Sequence, residues 1–474
     1  MITLRPDQTE AVEAVRSALG QHNSVLLRGP TGFGKTVVAA YMAQQATIKR
    51  RRVIFAVHRR ELAEQTARTF DEFGIKYGFI AAGRPSNPFA VAQIASADTL
   101  RNRPGLLKNC ALFVPDEAHL WASKTRSDLI AAAVEAGSKV VGLSATPERL
   151  DGRPLDMFDA LVEGPTEAWL IEHGHLSDYR AFAPVAPDLS GLHARMGDYV
   201  TAELEERFDK PSITGDAVSI WRKHANGLRT IVFAISRQHG KHVTEAYNAA
   251  GIGAVYIDGE TPHHERRDRI AAFADGRAVI LVNISLAVEG FDLSAQVGRD
   301  VPIEAVQLLN PTKSVARARQ MIGRALRPKS APAIILDHVN ILREHGLPDD
   351  ERVWTLAGRS TRKQDGVADF ATVTCGRCWG AFRPVLRVCP YCETERAATP
   401  REVEVIEGEL EEIKRARAKQ NVRQARDLDS VALACVANGY AAGWIMQRMK
   451  AIGQPVTYRT AHGAYMDAKH RQAA

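Results

Sequence analysis

The sequence predicts an α/β protein: two parallel-sheet domains in tandem, followed by a small four-cysteine ribbon and a helical tail. Three observations carry this. Short β-rich runs alternate with longer helical runs over residues 1–165 and again over 216–345, the pattern of parallel sheets covered on both faces. A glycine-rich loop, Gly29–Thr36 (GPTGFGKT), stands between the apolar run Ser24–Arg28 and a helical run from Thr36 to Gln45. Four of the six cysteines pair as Cys-x-x-Cys late in the chain.

The elements follow in order. In the first domain the strands are expected at Val25–Arg28, Val53–Val57, Ala90–Ala95, Ala111–Val114 and Lys139–Leu143, with Arg59–Phe73 helical between them. Residues 166–215, punctuated by Pro184, Pro187 and Pro211, read as a connector that packs on the domains. In the second domain the strands are expected at Thr230–Ala234, Ala254–Ile257, Ala278–Val282, Ala305–Leu309 and Ala333–Leu336. The cysteine ribbon covers 371–395. Residues 396–474 hold a charged helix over 402–426, acidic first and basic later, and a small helical unit with Trp444, Met446 and Met449 in its core.

Bulk properties narrow the class. A chain of 474 residues with 45% hydrophobic content suits two to four globular domains. The net charge of +7 favours an anionic partner. No apolar stretch approaches bilayer length, and the N-terminus has no basic segment followed by an apolar one. A membrane protein and an exported disulfide scaffold are therefore not expected. Cys110 and Cys435 stand alone and read as small buried hydrophobes.

The chemistry sits in three constellations. Gly29, Thr31, Gly32 and Gly34 belong to a loop whose backbone N–H groups can wrap phosphates; Lys35 reaches the outer phosphates and Thr36 offers a hydroxyl to Mg²⁺. The acidic quartet Asp116–His119 (DEAH) adds Asp116 for the same ion and Glu117 to deprotonate a water. Gln320–Arg327 (QMIGRALR) places Arg324 and Arg327 three apart on a helix, where guanidinium groups can neutralise charge developing on a γ-phosphate. A nucleotide held between two domains by these groups would open and close the cleft as it is hydrolysed.

Cys375-x-x-Cys378 and Cys389-x-x-Cys392 offer four thiolates to a structural, tetrahedral Zn²⁺. Trp379, Phe382, Arg377, Arg383 and Arg387 beside them serve either to grip a strand or as the module's core and solvated rim.

Taken in order, these motifs resemble those of the superfamily 2 nucleic-acid helicases over residues 3–330. The resemblance implies two RecA-like domains and ATP with Mg²⁺. Leu4–Gln8 (LRPDQ) resembles the adenine-contacting motif, with Gln8 and Arg5 near the base. Ser144–Thr146 (SAT) resembles the motif that couples nucleotide state to nucleic acid. Asn283–Asp292 (NISLAVEGFD) resembles the motif that brings Gly290 and Asp292 near the nucleotide. QMIGRALR would supply Gln320, Arg324 and Arg327 to catalysis. Nucleic-acid contacts are implied for Arg59, Thr99, Arg237 and Ser285, by position in the remaining motifs. Ser285 stands where many relatives carry threonine; a hydroxyl is kept.

The cysteine module and Gly439–Trp444 (GYAAGW) resemble the RadD-like bacterial DNA repair helicases and their phage relatives. That resemblance implies a cytoplasmic, bacterial or phage-encoded, monomeric motor that favours DNA over RNA, with single-strand-binding or repair proteins as partners. Three readings compete with it: an RNA helicase or RNA-dependent ATPase, a duplex translocase of a restriction or defence complex, and a binding module with a degenerate ATPase.

Overall fold

The computed structural model describes residues 3–149, 152–184, 189, 191–195, 197–209, 211–284, 293–358, 372–396, 427–437 and 440–473. Ser285, Gly290, Asp292, Pro187, Gly439 and the charged stretch 402–426 lie outside the described residues.

The front sheet contains β1 (Ser24–Arg28), β2 (Arg52–Val57), β3 (Tyr77–Ile80), β4 (Ala92–Ser96), β5 (Cys110–Pro115), β6 (Lys139–Ser144) and β7 (Ala160–Glu163). Their order is β3-β4-β2-β5-β6-β1-β7, and every pair is parallel. All five residues of β1 are buried, with the apolar run Val25–Leu27 between Ser24 and Arg28. The helices are α1 (Pro6–Gln21), α2 (Lys35–Ile48), α3 (Arg60–Glu72), α4 (Ala97–Arg101) and α5 (Lys124–Glu135). Helix α1 starts at Pro6, whose ring pre-sets helical φ, and buries Gln8, Ala11, Val12 and Val15 on one face. The sequence reading does not anticipate β3 and β7. Strand β3 (YGFI) carries a glycine and exposes alternate side chains; β7 is a four-residue edge strand.

After β7 come α6 (Glu167–Glu172), β8 (Tyr179–Phe182), a small hairpin of β9 (Ala194–Arg195) and β10 (Asp198–Tyr199), α7 (Thr201–Phe208) and α8 (Pro211–His224). The second sheet adds β11 (Thr230–Phe233), β12 (Ala254–Ile257), β13 (Ile280–Asn283), β14 (Ala305–Leu308) and β15 (Ala333–Asp337), in the order β12-β13-β11-β14-β15-β8, again all parallel. The supposed connector thus lends the sheet its outer strand, β8. Helices α9 (Arg237–Ala249), α10 (His263–Ala274), α11 (Leu293–Val297), α12 (Val315–Gly323) and α13 (Ile341–His345) belong to this half. Two tandem parallel sheets of this kind are the RecA-like architecture.

A buried polar chain ties the second sheet to its helices. Tyr247 donates to Gln307 Oε1 at 2.6 Å, and Gln307 Nε2 donates to the Ala217 carbonyl at 2.8 Å. Gln307 Nε2 also lies 3.0 Å from His338 Nε2, which must accept and is therefore unprotonated. Burial pushes the His338 pKa down to about 4. The unfolded chain binds this proton more readily, so the neutral form's stability is present above pH 6.5 and is lost as pH falls from about 6.5 towards 4. Urea unfolding from pH 7 to pH 4.5 should show a loss of about 2–3 kcal/mol that the His338→Gln variant lacks.

The ribbon closes the free edge of β8. Its strands β16 (Val373–Thr374) and β17 (Ala381–Phe382) form a hairpin, and Phe182 bridges to Gly380. The Ala183 N–H donates to the Trp379 carbonyl at 2.8 Å. Covering an edge in this way removes a row of unpaired backbone groups.

The C-terminal unit is described by itself. Helices α14 (Leu428–Ala437), α15 (Ala442–Ala451) and α16 (Tyr458–Ala473) enclose a core of Val431, Cys435, Ile445, Met449, Ala461 and Ala468. Trp444 and Met446 pack against this core. Cys110 and Cys435 are both buried.

Candidate functional site

The carboxyl edge of the front sheet gathers the segments that carry chemistry. Strands β2, β5, β6 and β1 end side by side: Arg28 pairs with Ser144, and Ala56 with Pro115. Beyond the strand ends, Gly29 N donates to Ser144 O at 3.0 Å and Asp116 N to Ala56 O at 2.9 Å. Ligands of open parallel sheets bind at this edge.

The loop turns into α2 through Gly34, at φ 90°. A Cβ there would lie 2.7 Å from Gln8 Nε2, so both conformation and space demand glycine. Gln8 Nε2 and Arg5 Nη2 both donate to the Phe33 carbonyl, at 3.0 and 2.9 Å, and Asp7 pairs with Arg5 at 2.8 Å. Residues from the two ends of α1 and α2 are thus joined at the loop. Lys35 Nζ donates to Gly29 O at 2.8 Å and Pro30 O at 3.3 Å. Burial lowers the Lys35 pKa, against the pull of Glu117 and Asp116. A phosphate oxygen would give this ammonium a charged acceptor. Thr36, in the first turn of α2, is half-buried.

Asp116 is buried, and its pKa is pushed up to about 6, first by burial, then by the Glu117 charge, with Lys35 opposing. Two adjacent carboxylates in a sheltered site repel, and a divalent cation relieves such repulsion. Asp116 and Thr36 suit that role. Glu117 sits in the left-handed region at φ 47°, a conformation that costs a non-glycine residue about 1 kcal/mol or more. Trp121 Nε1, donating to the Asp116 carbonyl at 2.8 Å, helps hold the turn. Glu117 Oε2 is buried and accepts no hydrogen bond among the described residues; His119 Nδ1 lies 3.5 Å away. Such an oxygen is open to a water. His119 Nδ1 is also 3.0 Å from Ser144 Oγ, which donates to Thr146 O at 2.8 Å, so the acidic turn and the SAT turn are one hydrogen-bonded unit.

The second domain meets the loop through α12. A Cβ on Gly323 would come within 2.8 Å of Thr31 Cβ, which makes this a backbone-close contact. The Cα of Arg324, one residue on, therefore lies within about 8 Å of Thr31. The side chains of Arg324 and Arg327 line a small pocket with Ile231, Leu293, Ser294 and Ile303 of their own domain. Gln320 is buried in α12. The segment meets the loop at Gly323, where α12 ends: Arg324 caps the helix and Arg327 lies beyond it, so the two arginines do not share the helix face expected from their spacing.

Sequence reasoning missed a further group. Glu167 Oε2 pairs with Arg28 Nη2 at 2.7 Å and Oε1 with Arg319 Nη1 at 2.6 Å. Burial raises the Glu167 pKa, but the two guanidiniums outweigh it and hold the carboxyl below its ordinary value. The one signal was Arg28 itself, a cation ending an apolar buried strand.

The residues expected at nucleic acid divide between the two domains. Arg59 and Thr99, both half-buried, follow adjacent strands β2 and β4. Arg237 opens α9, is exposed, and pairs with Asp258 at 3.5 Å and with Glu260. It borders a groove of about 630 Å³, with Tyr199, Thr201, Ser236, Asn310 and Arg317.

The four ribbon sulfurs lie within 4.8 Å of one another, and the pairs Cys375–Cys392 and Cys378–Cys389 are 3.6 Å apart. A tetrahedral ion with metal–sulfur bonds of about 2.3 Å sets sulfur–sulfur edges of about 3.8 Å, so the cluster fits one. Of the neighbouring side chains, Phe382 is buried in the module's core, Arg383 pairs with Asp349 and Asp350 at 2.9 and 3.0 Å, and Lys223 Nζ sits 4.0 Å over the Trp379 ring. Arg377 and Arg387 are exposed.

Comparison with known proteins agrees with this layout. Residues 1–149 match the family model described as Type III restriction enzyme, res subunit, and residues 209–329 match the helicase conserved C-terminal domain. A 51.5 kDa protein of Lactococcus phage (isolate 7-9) is 29% identical over 410 residues, covering 85% of this chain and 86% of its own. A provisionally named mitochondrial ATP-dependent helicase, irc3, of Schizosaccharomyces pombe is 29% identical over 386 residues, covering 76% of this chain and 60% of its own. Among solved structures, the ATP-dependent Type ISP restriction-modification enzyme LlaBIII bound to DNA superposes with a TM-score of 0.53 at 16% identity, over 71% of this chain and 28% of that one. The chain thus spans 60% of the yeast protein and 28% of the restriction enzyme.

Proposed function

Because the chain belongs to the superfamily 2 helicases of the DEAD/DEAH type and is a nucleic-acid-dependent ATPase, we propose that it is a DNA motor that hydrolyses ATP between its two RecA-like domains. The observation that carries this reading is the meeting of three segments at one edge: the phosphate loop, the buried Asp116–Glu117 pair, and the Gly323 contact on Thr31. In it, Gln8 and Arg5 face the adenine end, and Lys35 and the loop N–H groups hold the phosphates. Mg²⁺, bound by Thr36 and Asp116, would neutralise phosphate charge. Glu117 accepts the proton of the attacking water as its oxygen bonds to the γ-phosphorus and the bond to the β-phosphate oxygen breaks. Arg324 and Arg327 turn from their domain's pocket to meet the charge on the transferring group, and Gln320 supports that helix. Gly290 and Asp292 would complete the nucleotide contacts, and Arg59, Thr99, Arg237 and Ser285 would grip the phosphate backbone.

DNA is favoured over RNA by the restriction-enzyme family that the front domain matches and by the resemblance of the ribbon to DNA repair helicases. ATP turnover across single-stranded, duplex and forked DNA and matched RNA tests this. Stimulation by DNA at least about tenfold above RNA is expected; the reverse order would establish the RNA reading. The same family match favours a second possibility, a duplex translocase that moves without unwinding. Triplex displacement without strand displacement would identify it.

We assign Zn²⁺ to the four cysteines, with a structural role, since four thiolates leave no open position. Chelation is expected to release about one zinc per chain, expose four more titratable thiols and lower the melting temperature, because the ribbon covers β8. Metal analysis that finds no zinc in protein purified under reducing conditions would contradict this.

A further inference from the structure

Glu167 lies in no motif, yet it joins the two halves of the ATP site. It opens the short helix α6 between the sheets. Its two oxygens are divided between domains: Arg28, on one, immediately precedes Gly29 of the phosphate loop, while Arg319, on the other, stands one turn before Gly323 on α12. Residues four apart share a helix face. The face of α12 that touches Thr31 is therefore the face that Glu167 holds.

The clamp is sheltered. The side chains of Arg28, Glu167 and Arg319 are 2%, 12% and 9% exposed, so their attraction is little screened. Both cations have further anchors. Arg28 Nη1 reaches Pro165 O at 3.4 Å, and its guanidinium lies 5.3 Å from the Trp354 ring. Arg319 donates to Pro348 O at 2.8 Å and Asp350 O at 3.2 Å. A carboxylate with each oxygen committed to a differently anchored arginine fixes a distance, not merely a contact.

We propose that Glu167 is a positioning residue for ATP hydrolysis: it sets the spacing of the phosphate loop from α12, whose C-terminal end leads into Arg324 and Arg327. This rests on the ATPase reading above. Glu167 acts through those arginines and not on the nucleotide. Misplacing a catalytic group by about 1 Å costs about 10²-fold in rate, while nucleotide binding depends on the loop and the Gln8 end.

The test is steady-state ATPase with saturating DNA, nucleotide affinity by fluorescent ATP analogue, and melting temperature, for Glu167→Gln and Arg319→Lys. The second variant keeps the buried charge and loses the fork, so it carries the prediction should the first fail to fold. Both are expected to lower kcat about 10²-fold and to change nucleotide affinity less than about threefold. In a background carrying both Arg324→Ala and Arg327→Ala, Glu167→Gln should cost less than about threefold further, since both groups it positions are gone. A folded variant with wild-type kcat, or a full multiplicative loss in the background lacking both arginines, would overturn the proposal. Lack of ATP turnover in the wild-type chain would overturn the ATPase reading and this proposal with it; turnover there with unaffected clamp variants overturns this proposal alone.

Discussion

Glu117→Gln is expected to lower nucleic-acid-stimulated ATP turnover by about 10²–10⁴-fold while ATP still binds. The amide matches the carboxylate in shape but cannot take a proton. The turn that presents it is built independently of its charge: Asp116 Oδ1 accepts the Glu117 N–H at 3.0 Å, and Trp121 holds the Asp116 carbonyl. The buried Oε2, which accepts no hydrogen bond among the described residues, is where a water would be deprotonated. Removing the charge also relieves Asp116, whose pKa Glu117 helps to raise, so metal and nucleotide affinity should hold or improve. Lys35→Ala differs in kind, because it removes the loop's own cation and should weaken ATP binding as well as turnover. Single-turnover hydrolysis together with nucleotide affinity separates the two outcomes. Wild-type turnover in both variants would remove the catalytic assignment of this edge.

Arg327→Ala should lower kcat by about 10³–10⁵-fold with ATP affinity nearly unchanged, the behaviour of an arginine that acts only on the transition state. Arg324→Ala should behave alike. Both residues line a pocket of the second domain, and Arg324 directly follows Gly323, which meets Thr31, so this result requires both side chains to leave that pocket when nucleotide is bound. Loss of ATP binding with kcat unchanged would mean that these arginines hold the nucleotide in its ground state instead. The clamp at Glu167 bears on the same result: without a fixed α12, neither arginine has a defined place to reach from.

The legible parts of this protein are those written in contiguous residues. The loop GPTGFGKT and the quartet DEAH each specify a local backbone, and the strands feeding them are mainly apolar because both faces of a parallel sheet are covered. Strands β3, β7 and β8 were hidden for the opposite reason. They lie at sheet edges and are only four residues long; β7 and β8 carry a charged residue and β3 a glycine, so each is too short for a run or period to mark it. Arg59, Thr99 and Arg237 are proposed for nucleic acid by motif position alone, and the structure adds that Arg237 is engaged by two acids, which a bound phosphate would have to displace.

From the amino-acid order alone came the two parallel-sheet domains, the chemistry of the phosphate loop and acidic pair, and the cysteine ribbon, since each depends on neighbours within a few residues. The tertiary structure alone decided that Gly323 meets Thr31, that β8 and the ribbon complete the second sheet, and that Glu167 joins Arg28 to Arg319. Its two partners are 139 and 152 residues away in the chain. A carboxylate gains meaning from the charges that folding brings to it, and no local pattern records which cations those will be.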